Sequence, residues 1–209
     1  MPAYRLVIFD FDGTLADSAD WMIRTFNDMA KQFGLRQVTT SEVDMLRGRT
    51  NREIVSYLGV PMWKLPSIAN AMRRRVAADA EQIPLFAGIG EMLQTLKAAG
   101  VRTAIVSSND EENIRRILGP ANAALIDDYE CGASLFGKAR KLRAVLDRNG
   151  VAAHEAISIG DETRDIEAAR EARIPSGAVL WGYAKEDVLR SLKPSLTFTS
   201  MTEIAALAR

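Results

Sequence analysis

The feature that most constrains this chain is a short apolar run that ends in two acidic residues. Leu6–Phe9 are consecutive apolar residues, which is typical of a strand buried on both faces. Asp10 and Asp12 follow at i and i+2, so an extended chain points both carboxylates the same way. At the carboxyl end of a strand, such a pair lies where open α/β sheets bind ligands. It suits a divalent cation, or a nucleophile beside an acid/base.

A helical pattern follows the two aspartates. Asp12–Gly13 alone would suit a hairpin turn, but no second strand comes after it. Apolar residues instead recur at helical spacing up to Gly34, where a helix can stop. Residues 19–82 contain no clear strand. The helices are expected at about 18–34, from about 40, and at 64–82, with a polar loop over 46–53.

From Pro84 onward the pattern alternates between helix and strand, which predicts βαβ units and a parallel sheet. The fold class is therefore α/β, with a Rossmann-like core and an inserted α-helical cap over the carboxyl edge of the sheet. We expect residues 1–18 and 84–209 to form the core and residues 19–83 to form the cap. Strands are predicted at 101–106, 124–129, 156–159, 178–181 and 196–198, and helices at 88–99, 111–118, 138–149 and 162–172.

Three more polar positions stand at predicted strand ends or helix starts. Ser107 follows a strand, and its hydroxyl and nearby N–H groups could hold a phosphoryl oxygen. Lys138 begins a helix after Gly137, and its ammonium can pair with phosphate. Asp161 follows a strand and a glycine, with Asp165 one turn further on.

Each signal has a plain structural alternative. Ser107 could belong to a turn or a helix cap, and a lysine is usually a surface residue, with Arg140 and Lys141 as competitors. Asp161 could be a helix-capping aspartate with an acidic first turn. Since all these signals occur in order where a strand meets a loop or helix, a site is the better interpretation.

In this order the residues resemble the four motifs of the haloacid dehalogenase superfamily of phosphohydrolases. The first motif is Asp10–Leu15, and Ser107, Lys138 and Gly160–Asp161 stand at the others. The helical insertion and the downstream run Trp181–Tyr183 resemble the phosphoglycolate phosphatase-like branch with a helical, C1-type cap. Lys138 is followed by alanine where that branch usually has proline, which leaves the substrate open.

The resemblance implies a Mg²⁺-dependent phosphatase that hydrolyses a small-molecule phosphate monoester through an aspartyl-phosphate. Asp10 would be the nucleophile and Asp12 the acid/base, while Ser107 and Lys138 neutralise phosphoryl oxygens. Mg²⁺ would be held by Asp10, the backbone carbonyl of Asp12, and Asp161, with Asp165 and Glu162 as support. The candidate substrate-binding residues are Gly13, Thr14, Asn109 and, in the cap, Arg47 and Arg49.

Other activities fit parts of the pattern. A dehalogenase needs the nucleophile but not the acid, so Asp12 favours phosphate chemistry. A phosphonate-cleaving enzyme would need a Schiff-base lysine in the cap, and neither Lys31 nor Lys64 has a suitable context. A binding module without catalysis would have no need of Asp10 and Asp12. A β-phosphoglucomutase-type phosphotransferase shares all four motifs and stays open as the alternative.

Composition restricts the partners. Lysines plus arginines and aspartates plus glutamates each number 27, so no basic face is indicated and no nucleic-acid partner is expected. The sequence contains no apolar run of membrane-spanning length, so no membrane partner is expected either. Cys131 is the single cysteine, interpreted as a packed apolar residue, and it fits a reducing, cytoplasmic location. A monomer and a homodimer are both compatible with these features.

Overall fold

The computed structural model describes residues 4–132 and 137–209, and its centre is a parallel sheet of six strands. With the strands numbered in chain order, their order across the sheet is β3-β2-β1-β4-β5-β6. The strand order therefore reverses beside β1, as it does in doubly wound folds. The prediction of an α/β, Rossmann-like core is therefore confirmed. The strands are β1 (Leu6–Phe9), β2 (Arg102–Val106), β3 (Asp128–Glu130), β4 (Ala156–Gly160), β5 (Ser176–Val179) and β6 (Leu196–Phe198).

Helices cover both faces of the sheet, and β1 shows why its sequence is continuously apolar. Val7 and Phe9 pack into one hydrophobic cluster, Leu6 and Ile8 into another, and all four are fully buried. Cys131 packs, partly buried, against the first of these clusters. The helices of the core are α5 (Ile89–Ala98), α6 (Glu111–Ala123), α7 (Lys138–Asn149), α8 (Thr163–Ala172), α9 (Glu186–Ser191) and α10 (Met201–Ala205).

Four further helices lie between β1 and β2, in what is here called the insertion (residues 19–82). The chain leaves the core and returns to it side by side: Asp17 N donates to Pro84 O at 2.8 Å, and Phe86 N donates to Leu15 O at 3.0 Å. The domain boundaries at 18–19 and 83–84 stay a prediction. The helices of the insertion are α1 (Ala19–Phe33), α2 (Thr40–Leu46), α3 (Asn51–Tyr57) and α4 (Leu65–Asp79).

Helix α3 begins where a polar loop was predicted. Thr50 and Glu53 form a reciprocal capping box, in which Thr50 Oγ1 accepts from Glu53 N and the Glu53 carboxylate accepts from Thr50 N. This polar pair starts the helix without the apolar periodicity on which the prediction relied.

Three elements after the insertion also differ from prediction. Strand β3 covers Asp128–Glu130 and not the predicted 124–129, because Ala124 still caps α6. Strand β5 begins at Ser176, two residues before the predicted start, because Gly177 pairs with Leu196 and leaves room for the ring of Phe198. A Cβ on Gly177 would lie 2.7 Å from that ring. Helical residues continue past Leu118, where the prediction stopped, after a break at Gly119 with φ 71° and ψ 162°. Across the described residues, no helix combines the length and the apolar character needed to cross a membrane.

Candidate active site

Three of the predicted site residues follow three neighbouring strands. Asp10 comes after β1, Ser107 after β2 and Asp161 after β4. Because β2 and β4 flank β1 and all three strands are parallel, their carboxyl ends meet at one edge. The main chain of Asp10 is itself fixed there, since Asp10 N donates to Ile159 O at 2.8 Å.

The ammonium group of Lys138 joins two buried aspartates. Its Nζ donates to Asp10 Oδ1 at 2.6 Å and to Asp165 Oδ1 at 2.5 Å. Burial alone would lower the pKa of Lys138, but the two carboxylates outweigh burial and raise it. Burial raises the pKa of Asp10 against the opposing charge of Lys138. Lys138, rather than Arg140 or Lys141, is thus the cation bonded to Asp10.

Asp165 is held by its own helix as well as by Lys138. It is the third residue of α8, and its Oδ2 accepts from Glu162 N at 2.9 Å, in a capping box. Burial would raise the pKa of Asp165, but Lys138 and Arg164 lower it below its usual value. Asp165 is therefore an ionised partner of Lys138 with both oxygens occupied.

Asp161 is completely buried in a tight polar pocket. Its Oδ1 accepts from Thr14 Oγ1 at 2.7 Å, and its Oδ2 accepts from Tyr183 N at 2.8 Å. A Cβ on Gly13 would lie 2.3 Å from Asp161 Oδ2, and one on Gly182 would lie 2.2 Å from Asp161 Cβ. Only glycine, which has no side chain, can stand at positions 13 and 182 without displacing this carboxylate. Burial, together with nearby acidic groups, raises the pKa of Asp161 well above its usual value.

A divalent cation fits this edge. Asp10, Asp161 and Asp165 each offer an oxygen, and the three atoms lie within 4.8 Å of one another. Carboxylate oxygens are the ligands that Mg²⁺ prefers. Across the described ranges, no lysine or arginine forms an ion pair with Asp161. Because Asp165 is committed to Lys138 and to its own helix, Asp10 and Asp161 are the carboxylates best placed to hold a cation.

The Asp12 carboxylate is bonded to a hydroxyl group and not to Lys138. Ser18 Oγ donates to Asp12 Oδ1 at 3.0 Å, and the Tyr183 hydroxyl lies 2.6 Å from Ser18 Oγ. Burial and then the charge of Asp10 raise the pKa of Asp12 to about 6. Asp12 is therefore a carboxyl group able to exchange a proton near neutral pH, as an acid/base must.

Ser107 and Asn109 form a buried turn beside Asp10. Asn109 N donates to Ser107 Oγ at 3.1 Å, while Lys141 Nζ donates to the Ser107 carbonyl at 2.9 Å. Within the described part of the chain, Asn109 Nδ2 is buried and has no hydrogen-bond partner. The substrate-binding roles of Asn109, Gly13 and Thr14 stay predictions. Asp10, Ser107 and Lys138 also border a cleft of about 780 Å³.

The remaining predicted residues lie in different surroundings. Arg47 donates from Nε to Tyr183 O at 2.9 Å and from Nη2 to Gly182 O at 3.1 Å, so it contacts the core main chain. Arg49 is exposed and paired with Glu53 at 3.4 Å. Glu162 pairs with Arg164 at 2.8 Å. The substrate-binding role of both cap arginines stays a prediction.

Sequence reasoning missed Ser18 and Tyr183 as site residues. Ser18 was placed only at the start of a predicted helix, and Tyr183 only in a run that resembles the family. The predicted strand at 178–181 hid the role of Tyr183, because β5 ends at Val179 and places Trp181–Tyr183 beyond the strand, at the same edge as Asp10. A strand placed two residues earlier would have put Trp181–Tyr183 in the loop at this edge, but it would not have indicated the contact of Tyr183 with Ser18.

Comparisons with known proteins agree with this geometry. The model of the family described as haloacid dehalogenase-like hydrolase matches residues 7–179. A phosphoglycolate phosphatase of Synechococcus elongatus is 31% identical over 86% of this chain and 85% of its own length. A phosphoglycolate phosphatase of Xanthomonas campestris is 34% identical over 88% of this chain and 86% of its own. A haloacid dehalogenase-like hydrolase of Streptococcus pneumoniae superposes with a TM-score of 0.83 at 20% identity, covering 99% of both chains.

Proposed function

This chain belongs to the haloacid dehalogenase-like hydrolases as a phosphoric monoester hydrolase, and we propose that it cleaves small-molecule phosphate monoesters through an aspartyl-phosphate on Asp10, with Mg²⁺ as cofactor. The observation that carries the proposal is the buried Asp10 carboxylate, bonded to Lys138 at 2.6 Å beside the oxygens of Asp161. A nucleophile, a cation and further acidic groups thus lie within one small volume.

The first half of the reaction transfers the phosphoryl group to the enzyme. An Asp10 oxygen attacks phosphorus, and the bond between phosphorus and the leaving oxygen breaks. Asp12 gives its proton to the departing alkoxide, which leaves as an alcohol. The raised pKa of Asp12, about 6, keeps part of this group protonated near neutral pH.

The second half releases phosphate. Asp12, now a carboxylate, takes a proton from water as the water oxygen attacks phosphorus. The bond between phosphorus and the Asp10 oxygen breaks, which restores both carboxyl groups. One residue therefore serves as acid and then as base, since the two steps mirror each other.

Charge at the phosphoryl group is met by fixed donors. Lys138 supplies a buried ammonium group, while Ser107 and the unused Nδ2 of Asn109 supply neutral donors. Mg²⁺ bound by Asp10, Asp161 and the Asp12 carbonyl would supply further neutralisation of the phosphoryl oxygens. Thr14 and Tyr183 keep Asp161 oriented for that purpose.

The substrate class is a small alkyl phosphate. Two relatives bear the name phosphoglycolate phosphatase, so phosphoglycolate belongs in a substrate panel beside sugar phosphates. The insertion lies next to the site, and we expect its exposed Arg49 to influence which leaving group is accepted, whereas Arg47 is bonded to the core main chain. The cytoplasmic location and the choice between monomer and homodimer stay predictions.

The test is phosphate release from a panel of alkyl phosphate monoesters, with Mg²⁺ and with EDTA. Wild-type turnover should require the metal, and Asp10→Asn should lower kcat by at least about 10³-fold, as loss of a nucleophile does. Asp147→Asn, the same change at an exposed position on α7, is the matched control and should keep full activity.

Two results would contradict the proposal. Turnover that survives in Asp10→Asn would exclude the covalent route through this residue. Phosphoryl transfer to a sugar phosphate in place of phosphate release would favour the β-phosphoglucomutase-type alternative.

A further inference from the structure

Two hydroxyl groups form a short chain that ends on Asp12. Ser18 Oγ donates to Asp12 Oδ1 at 3.0 Å, and Tyr183 OH lies 2.6 Å from Ser18 Oγ. An ionised carboxylate only accepts, and a serine hydroxyl has one proton to give. Because that proton is used on Asp12, the Tyr183 hydroxyl is the donor to Ser18.

The Ser18 hydroxyl bonds to Asp12 and leaves the first turn of its own helix uncapped. Ser18 stands directly before α1, where a serine side chain ordinarily caps the first turn, yet it makes no cap hydrogen bond. The side chain is fully buried and bonded to Asp12 instead. A helix cap left unmade indicates that the position of this hydroxyl serves Asp12.

Tyr183 is held in place from two sides. Its N–H donates to Asp161 at 2.8 Å, and its carbonyl accepts from Arg47 Nε at 2.9 Å. Arg47 also reaches the carbonyl of Gly182, and its own carbonyl accepts from Lys185 N at 3.1 Å. The peptide that carries the Tyr183 ring is thus fastened both to the metal-binding candidate and to the insertion.

We propose that Ser18 and Tyr183 are a positioning pair that fixes the direction of the Asp12 carboxyl group, and that Arg47 holds this pair in place from the insertion. The inference rests on the proposed function, in which Asp12 protonates the leaving alkoxide. Proton transfer requires the acid to stay within hydrogen-bond reach of that oxygen. A carboxyl group without its hydroxyl partner turns more freely and loses that alignment.

A comparison of substrates with different leaving groups distinguishes a loss of acid positioning from general damage to the active site. An alkoxide is a strong base that needs a proton, whereas p-nitrophenolate is a weak base that leaves without one. The ratio kcat/KM reports only the steps up to the first phosphoryl transfer, so the water step does not enter. Tyr183→Phe should lower kcat/KM about tenfold for the alkyl phosphate cleaved best in the panel and less than about twofold for p-nitrophenyl phosphate. Asp12→Asn should show the same selectivity with a larger fall.

The matched control is Tyr129→Phe. It removes the same hydroxyl group from a tyrosine whose partner is the carbonyl of Ala123, at 3.2 Å, and it should leave both substrates unchanged. An equal fall for both substrates in Tyr183→Phe would overturn the inference, and so would no fall for either. Failure of the proposed function would look different, because turnover would then survive in Asp10→Asn.

The contribution of Arg47 is tested by Arg47→Gln. We expect kcat/KM for the alkyl phosphate to fall about threefold, through a lower kcat with little change in KM. The value for p-nitrophenyl phosphate should stay nearly unchanged. A change confined to KM, different from one substrate to another, would assign Arg47 to substrate reading and overturn this part of the inference.

Discussion

The ion pair of Lys138 with Asp10 and that of Arg49 with Glu53 show how differently the two parts of the molecule use charge. At the sheet edge, the side chains of Lys138 and Asp10 are 14% and 5% exposed. In the insertion, those of Arg49 and Glu53 are 53% and 50% exposed. Water screens the second pair and solvates each partner separately, whereas removal of one buried partner leaves the other unpaired. The buried charges of the sheet edge are therefore coupled, whereas Arg49 and Glu53 form a contact that each can lose at little cost.

Lys138→Met should have the largest effect on stability and tests the coupling most directly. Asp10 and Asp165 would remain buried side by side without their cation, which should lower the free energy of unfolding by about 3–5 kcal/mol. Urea denaturation measures this change. Adding Asp165→Asn should recover part of the loss, since one uncompensated charge disappears. A decrease no larger than that of Arg49→Ala would break the distinction between the two regions.

Gly182→Ala should lower the affinity for Mg²⁺, and we rank this effect between those of Lys138→Met and Arg49→Ala. A Cβ at this position would lie 2.2 Å from Asp161 Cβ, so the carboxylate must move. We expect Mg²⁺ affinity, measured by calorimetric titration, to fall by about 10–100-fold. Gly48→Ala in the insertion is the matched control, because its Cβ would lie 3.4 Å from the nearest atom, and it should bind Mg²⁺ like the wild type. Equal affinities in the two variants would show that the fit around Asp161 is not needed.

Arg49→Ala should have the smallest effect. Its partner Glu53 is half exposed and keeps its bonds to Thr50, so urea denaturation should show no measurable change in stability. A clear loss of stability, sensitive to salt, would mean that this exposed pair is coupled to its surroundings as the charges of the sheet edge are.

This contrast also explains what the sequence could predict. Asp10, Asp161 and Lys138 each stand at the end of a strand or the start of a helix, so a correct order of elements was enough to bring them together. The contacts of Ser18 and Tyr183 could not be obtained that way, because the two residues are 165 positions apart and meet only through tertiary packing. Local sequence patterns predict the helices and strands, and their order predicts which residues meet at the sheet edge. They do not predict which hydroxyl group contacts which carboxylate.

The insertion shows the same limit. Its helices were predicted except α3, whose start depends on a polar capping box. Arg47 and Arg49 looked alike in sequence, yet one reaches two main-chain carbonyls of the core and the other pairs with a neighbour one turn away. Nothing local distinguishes them, because the difference comes from how α2 lies against the loop after β5.

The side-by-side crossing of residues 15–17 and 84–86 gives the insertion a single pivot. Any swing of the four helices relative to the sheet has to be absorbed in these two short segments, which hydrogen bonds oblige to turn together. Proline fixes φ at position 84, whereas the other segment, next to Ser18, contains no proline. A swinging lid on this protein would therefore bend next to Ser18, the residue bonded to the acid/base, so that lid position and the direction of the Asp12 carboxyl group would be linked.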